Sequence, residues 1–293
     1  MLESFLKFLE FEKRSSIHTI TSYGEDLRQL QAFLASAFEI TDFTDVQHSH
    51  LRNWVIELME DGISANSINR KIASVKSFYK FLKSREYLST NPASRLKPLK
   101  TEKRLPAFVQ ENDLMQLLDG QAPDPDDVSS VRDHLILELF YGSGIRLSEL
   151  IGLKNSDLNF YDNTIKVLGK RNKERIIPIP QSIVNNIRKY QDMAGKNFSE
   201  NRERLFLTDA GKPLYPMFVY RLVNKNLAQV STLTKKSPHV LRHTFATHLL
   251  DKGADLNAVK DLLGHTSLAA TQVYTHNSLE KLKSAFDQAH PKA

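Results

Sequence analysis

Two arginines, two histidines and a tyrosine stand in an order that could hold a phosphodiester while a phenol attacks it. Arg146 lies in Gly-Ser-Gly-Ile-Arg-Leu-Ser-Glu-Leu, and His239 and Arg242 in Ser-Pro-His-Val-Leu-Arg-His. His265 follows in Leu-Leu-Gly-His, and Tyr274 in Val-Tyr-Thr-His. Cleaving a phosphodiester needs an in-line nucleophile, stabilised charge on the non-bridging oxygens and a proton for the departing oxygen. Many enzymes recruit metal ions for part of this work. A pair of arginines is the alternative, since each guanidinium grips two oxygens and stays charged at any relevant pH. Arg146 follows two glycines and opens a helix, where backbone N–H groups also favour an anion. A tyrosine titrates near pH ~10, so as a nucleophile it needs guanidinium charge and a histidine base nearby.

The chain has no cysteine, which excludes disulfides and thiolate chemistry. His239 and His243 are spaced i, i+4 and could seat zinc. The residues between them are Val-Leu-Arg, without the glutamate of a His-Glu-x-x-His site, and Arg242 would repel a dication. No metal and no cofactor are expected, and His243, His248 and His276 read as structural.

These residues need elements to position them. Apolar residues at helical spacing predict four helices in the first hundred residues. They run from Leu2 to Lys13 (Leu2, Phe5, Leu6, Leu9, Phe11), Ser16 to Ala35, His48 to Glu60 and Ser64 to Tyr87. In the last, Ile68, Ile72, Val75, Phe78, Tyr79 and Leu82 form an apolar face, with Arg70, Lys71, Lys76, Lys80 and Lys83 mainly on the other sides. The segment from Ala93 to Pro106 has two prolines, five basic residues and no clear period, and reads as a linker. The expected division is a helical domain over 1–90, a linker over 91–106 and a second domain over 107–293. In the latter, helices are expected from Asn112 or Glu111 through Leu118, at Val131 to Tyr141, Arg146 to Leu153 and from Ser182 onward. Thr164 to Leu168 and Arg175 to Ile179 read as two strands of a hairpin with a basic tip at 169–174. The fold class is therefore mainly α with a small β-sheet.

The chain of 293 residues carries a net charge of +6. From Asn66 to Arg104 there are eleven Lys or Arg against two acids, so this stretch alone is more positive than the whole. So concentrated a basic run is the electrostatic footprint of phosphate-backbone binding, and Arg70, Lys71, Lys76, Lys80 and Lys83 are its candidate contacts. No apolar run approaches the ~20 residues that span a bilayer. The start, Met1-Leu2-Glu3-Ser4-Phe5, lacks a signal-peptide pattern. A cytoplasmic, nucleoid-associated protein without membrane partners is expected.

On these motifs the sequence resembles the tyrosine recombinase (phage integrase) family, and within it the bacterial Xer recombinases, over essentially its whole length. The resemblance implies a helical core-binding domain and a catalytic domain closing as a C-shaped clamp on double-stranded DNA. It implies Tyr274 as nucleophile forming a 3′-phosphotyrosyl link, and Arg146 and Arg242 as the phosphate clamp. Lys170, at the hairpin tip, would protonate the leaving 5′-oxygen. His239 would assist proton transfer from the tyrosine, His265 would hydrogen-bond a phosphate oxygen and Glu149 would orient the site. Arg171 stands where relatives often have a second glycine, which leaves Lys173 as the alternative to Lys170. The segment Val259 to His265 and the tail Ala289-His290-Pro291 resemble the XerC branch more than the XerD branch.

The resemblance further implies a cyclic tetramer on DNA acting through a Holliday junction. Its partners would be a related second recombinase and a septal DNA translocase. With no extra N-terminal arm-binding domain, chromosome-dimer resolution is expected rather than integration of a mobile element. A non-cleaving architectural protein of the same fold and a type IB topoisomerase are the other readings. In the tail, Leu279, Leu282 and Phe286 fall at i, i+3, i+7. A short terminal helix of this kind usually docks on its own domain, but the resemblance implies packing into a neighbouring protomer, which is the expectation here.

Overall fold

The computed structural model describes residues 1–101, 107–120, 122–169, 174–197, 203–264, 286, 288 and 289. The chain divides into two compact units, Met1–Arg104 and Leu105–Ala293.

The first unit is helical, with α1 (Leu2–Lys7), α2 (Ile17–Phe38), α3 (His48–Glu60) and α4 (Ala65–Ser84). Serine side chains open the two longest helices: Ser16 accepts the Thr19 N–H and Ser64 that of Ser67. α1 continues into a wider π-type turn over Phe8–Glu12. That turn changes the helical register, which explains a departure from the predicted stripe: Phe5 and Leu9 are buried while Phe11 is 70% exposed. Phe8 of this turn and Phe5 of α1 both meet the Phe81 ring of α4, with centroids 4.9 and 5.5 Å away.

The apolar face expected on α4 is all buried, from Ile68 to Leu82. Lys71 is buried with it, which corrects its placement among the outward basic residues. Its ammonium donates to Asp26 (3.2 Å) and to Gln29 on α2, and Arg70 donates to the same buried carboxylate. The reason is helical geometry: positions 68, 71, 75, 78 and 82 form one i, i+3, i+4 row, and Lys71 lies in it. Lys76 is half-buried, and Lys80 and Lys83 are exposed. The segment expected to be a linker is in part anchored. Ala93 and Leu96 sit in the core of the first unit, and the Asn69 amide clamps Leu99, accepting its N–H (2.7 Å) and donating to its carbonyl (2.9 Å).

The second unit contains α5 (Glu111–Asp119), α6 (Val128–Ser143), α7 (Leu147–Gly152), α8 (Gln181–Asn197), α9 (Pro216–Val230), α10 (Pro238–Asp251) and α11 (Leu256–Leu263). α6 is its central helix, buried almost throughout from Val131 to Ser143 and packed against α8 and α10. It begins three residues earlier than its apolar run because Asp127 caps it, accepting the N–H groups of Ser129 and Ser130. Three antiparallel strands, β1 (Leu158–Asn159), β2 (Thr164–Leu168) and β3 (Glu174–Pro178), lie in sequence order. β2 and β3 make the predicted hairpin, with Ile165 opposite Ile177 and Val167 opposite Arg175. The period-two alternation sends Ile165, Val167, Arg175 and Ile177 inward, and all four are buried. Phe286 and Ala289 are also buried in this unit's core, with the Phe286 ring 6.4 Å from that of Phe245 on α10. For Phe286 this corrects the expectation of docking on a neighbour. Leu279 and Leu282 lie outside the described residues.

Candidate functional site

The site forms where the end of α6, the start of α7, β3, α10 and the end of α11 meet. α6 stops at Gly144, which adopts φ +59. A Cβ there would come within 2.5 Å of the Phe245 ring, so only glycine allows both the turn and the close approach. Ile145 is buried and fixes the crossing into Arg146, which sits in extended backbone just before α7. The first-turn donor expected to help hold an anion is engaged otherwise: the Arg146 N–H donates to Glu149 Oε2 at 2.8 Å.

Glu149 is the hub. Its Oε1 also accepts the Arg146 guanidinium (2.9 Å), while Arg175 from β3 binds both oxygens, at 2.6 and 2.8 Å. Burial raises the pKa of this carboxyl. Hydrogen bonds and charge from Arg175, with the hydrogen bonds from Arg146, outweigh burial and hold it below the usual carboxylate range.

α11 ends at Gly264, in the left-handed conformation at φ +63. The last carbonyls of a helix have no intrahelical donors and lie at the negative end of its dipole. Here three successive carbonyls each receive one arginine. Arg175 Nε donates to Leu262 (2.9 Å), Arg242 to Leu263, and Arg146 to Gly264 (3.1 Å). Arg242 also donates to the Gly144 carbonyl at the end of α6. Three guanidiniums thus gather around one carboxylate. Burial, then the charges of Arg146 and Arg175, lower the Arg242 pKa to about 9, with Glu149 opposing. Arg242 therefore remains charged at neutral pH but in a place that is short of negative charge. Such a cluster can bind an anion with both charge and directed donors.

Of the residues singled out in the sequence, Arg146, Glu149 and Arg242 come together. His239 lies one turn ahead of Arg242 on α10, exposed. Lys170, the alternative Lys173, His265, Tyr274 and His276 lie outside the described residues. His248 is buried, its Nδ1 3.1 Å from the Tyr141 hydroxyl, in keeping with a structural role. Among the described residues no group of three His, Asp or Glu could hold a metal ion, and no helix is long and apolar enough to cross a membrane.

Arg175 was missed. The signal was present: alternation along β3 puts residue 175 on the same face as Ile177, and an arginine on a buried face demands an anionic partner. A cleft of about 480 Å³ adjoins Glu149 between α7 and the hairpin, with Lys154, Lys166 and Arg204 in its walls.

Residues 107–281 match the phage integrase family, and residues 2–86 match the N-terminal SAM-like domain of phage integrases. The chain is 38% identical to the tyrosine recombinase XerC of Chlorobaculum parvum, covering all of this chain and 94% of that one. It is 32% identical to the tyrosine recombinase XerD of Staphylococcus saprophyticus, covering all of this chain and 99% of that one. Among solved structures, XerH site-specific recombinase bound to a palindromic difH substrate in a post-cleavage complex is 20% identical with a TM-score of 0.72. That match covers 97% of this chain and 84% of the other.

Proposed function

Because the chain belongs to the phage integrase family, as a site-specific tyrosine recombinase of the Xer type, we propose that Tyr274 attacks a DNA phosphodiester held by Arg146 and Arg242. The observation that carries this reading is the pair of guanidiniums pinned to the successive carbonyls of Leu263 and Gly264, beside a single carboxylate. A phosphate group supplies the missing negative charge. As the pentacoordinate transition state forms, charge builds on its non-bridging oxygens, and fixed guanidiniums stabilise that charge without reorganising.

The phenol's proton passes toward His239, the 3′-phosphotyrosyl bond forms, and the 5′-oxygen leaves with a proton from Lys170. His265 hydrogen-bonds a phosphate oxygen. The phosphotyrosyl bond retains the energy of the broken phosphodiester, so a 5′-hydroxyl from a second duplex can attack it without ATP. Exchange of two strands gives a Holliday junction, and exchange of the other two resolves it. Four protomers on two sites, from this protein and a related second recombinase, perform the cycle on chromosome dimers in the cytoplasm, under a septal translocase.

The basic residues of the first unit, Lys76, Lys80 and Lys83 with Arg70, contact DNA phosphates. The first domain and the catalytic domain both bind the duplex. Phosphate contacts position the protein and a few groove contacts choose the site.

Covalent trapping tests the reading. The protein is incubated in EDTA with a nicked suicide duplex carrying a Xer-type site, beside the Tyr274→Phe protein, and resolved on a denaturing gel. A DNA-linked band formed only by the tyrosine protein is the expected result. DNA bound without any adduct, even after adding a second recombinase, would favour the non-cleaving architectural reading.

A further inference from the structure

Arg175 has no part in the chemistry above, yet it is the most enclosed of the three arginines, with a side chain 4% exposed. Its guanidinium is spent inward in full view of the site. Two edges take both oxygens of Glu149, and Nε takes the Leu262 carbonyl. Glu149 in turn holds Arg146 twice, by backbone N–H and by guanidinium. The aliphatic stem of Arg175 passes so near Gly264 that a Cβ there would be 3.0 Å from Cδ. One side chain on β3 therefore ties the start of α7 to the last turn of α11, the turn that runs directly into His265.

We infer that Arg175 is a positioning residue for the transfer reaction: acting through Glu149, it sets Arg146 relative to the end of α11, so that phosphate meets a prearranged clamp. This rests on the phosphodiester-transfer reading above. The role requires a fork. A guanidinium can bind two carboxylate oxygens and a carbonyl at once, whereas an ammonium acts as a single point of charge. Lysine at 175 therefore keeps the charge and loses the geometry. A clamp displaced by about 1 Å slows transfer by roughly 100-fold. DNA affinity, spread over many phosphate contacts, changes little by comparison.

The pH dependence distinguishes positioning from general support of the fold. Glu149 faces Arg146 just before α7, Arg175 on β3 and Arg242 on α10. The cleft beside it also holds Lys154, Asp157, Lys166, Glu174 and Arg204. Arg175 is the partner that binds both carboxylate oxygens through its side chain. Without it burial dominates, the carboxyl titrates at higher pH, and its protonated form releases Arg146. Cleavage then acquires an acid limb displaced upward from that of the wild type.

The test measures single-turnover adduct formation on the suicide duplex against pH, with DNA affinity alongside. The proteins are the wild type, Arg175→Gln, Arg175→Lys, Glu149→Gln and the Arg175→Gln/Glu149→Gln double variant. Expected are a roughly 100-fold slower adduct rate for Arg175→Gln, affinity within about threefold of wild type, and an acid limb at higher pH. Arg175→Lys fails to restore the rate. The double variant is within about threefold of Glu149→Gln, as expected for residues acting through one another, and lacks the displaced limb. If Arg175→Gln does not fold, the double variant still decides, because it leaves no buried carboxylate unpaired. A double variant whose losses multiply, full rescue by lysine, or an unchanged rate and pH profile in Arg175→Gln overturns the inference. No adduct from the wild type overturns the functional reading itself, and the inference with it.

Discussion

Replacing Arg242 by glutamine should leave the second unit nearly as stable as before while abolishing transfer. Burial and the neighbouring arginines hold the Arg242 pKa down at about 9. That disfavours the charged guanidinium in the fold, while its charged hydrogen bonds to the carbonyls of Gly144 and Leu263, of about 1.5–3 kcal/mol each, hold it in place. Removing the bonds and removing the disfavoured charge act in opposite directions, so Arg242→Gln should shift stability by no more than about 2 kcal/mol in either direction. Arg175→Gln is the contrast. It takes from the buried Glu149 carboxylate the side chain that binds both its oxygens, leaving it only Arg146, and should cost about 3–5 kcal/mol.

Urea unfolding measures both. Trp54 is the sole tryptophan and lies in the first unit. Its fluorescence therefore reports that unit, and circular dichroism with that transition removed reports the second. The sign of the pH dependence gives an independent check. Above pH 9 folded Arg242 releases its proton while the unfolded chain keeps it, so stability rises with pH. Relative to Arg242→Gln, the wild type should gain about 1.4 kcal/mol per pH unit there. Below pH 9 the cost is fully present. Phosphate should stabilise the wild type, by about 2.7 kcal/mol at one hundred times its Kd, and not the variant. An Arg242→Gln protein as destabilised as Arg175→Gln, with no relative pH gain, would refute the argument that the clamp is held at a cost.

Gly144→Ala should destabilise the second unit by about 2–4 kcal/mol, combining backbone strain at φ +59 with overlap on Phe245. Gly62→Ala, at φ +73 with nothing within 4 Å, should cost only about 1 kcal/mol by the same assay. Lys71→Met should lower the first unit's stability by about 1–3 kcal/mol, read from Trp54 fluorescence, because Asp26 loses a buried partner. Lys80→Ala and Lys83→Ala should each leave stability within about 0.5 kcal/mol and reduce the salt slope of DNA binding by about 1. The pKa of His248 is lowered, chiefly by burial, so the fold disfavours its charged form. Stability of the second unit should fall as pH drops below the ordinary histidine value of about 6.5 and through the lowered folded one. His248→Gln should remove that component, and a pH-independent wild type would contradict it.

Local pattern carries far in this chain. The α4 face, the hairpin and the order of the arginine, histidine and tyrosine motifs were all legible, because periodicity and motif spacing are properties of short windows. Phe11 was misjudged because a single π-type turn shifts the register after it. Lys71 was misjudged by residue type although its i, i+3, i+4 neighbours marked it as inward-facing.

The sequence by itself determined which residues are available for phosphate chemistry and which segments form the elements that carry them. Tertiary structure alone decided their pairing. Nothing local to Arg175 names Glu149, which lies twenty-six positions away, and nothing local to Leu262, Leu263 and Gly264 says that three arginines from three elements will take their carbonyls. A buried charge is tolerated only where the fold brings it a partner. Who that partner is depends on how β3, α7, α10 and α11 pack, and no window of sequence contains all four.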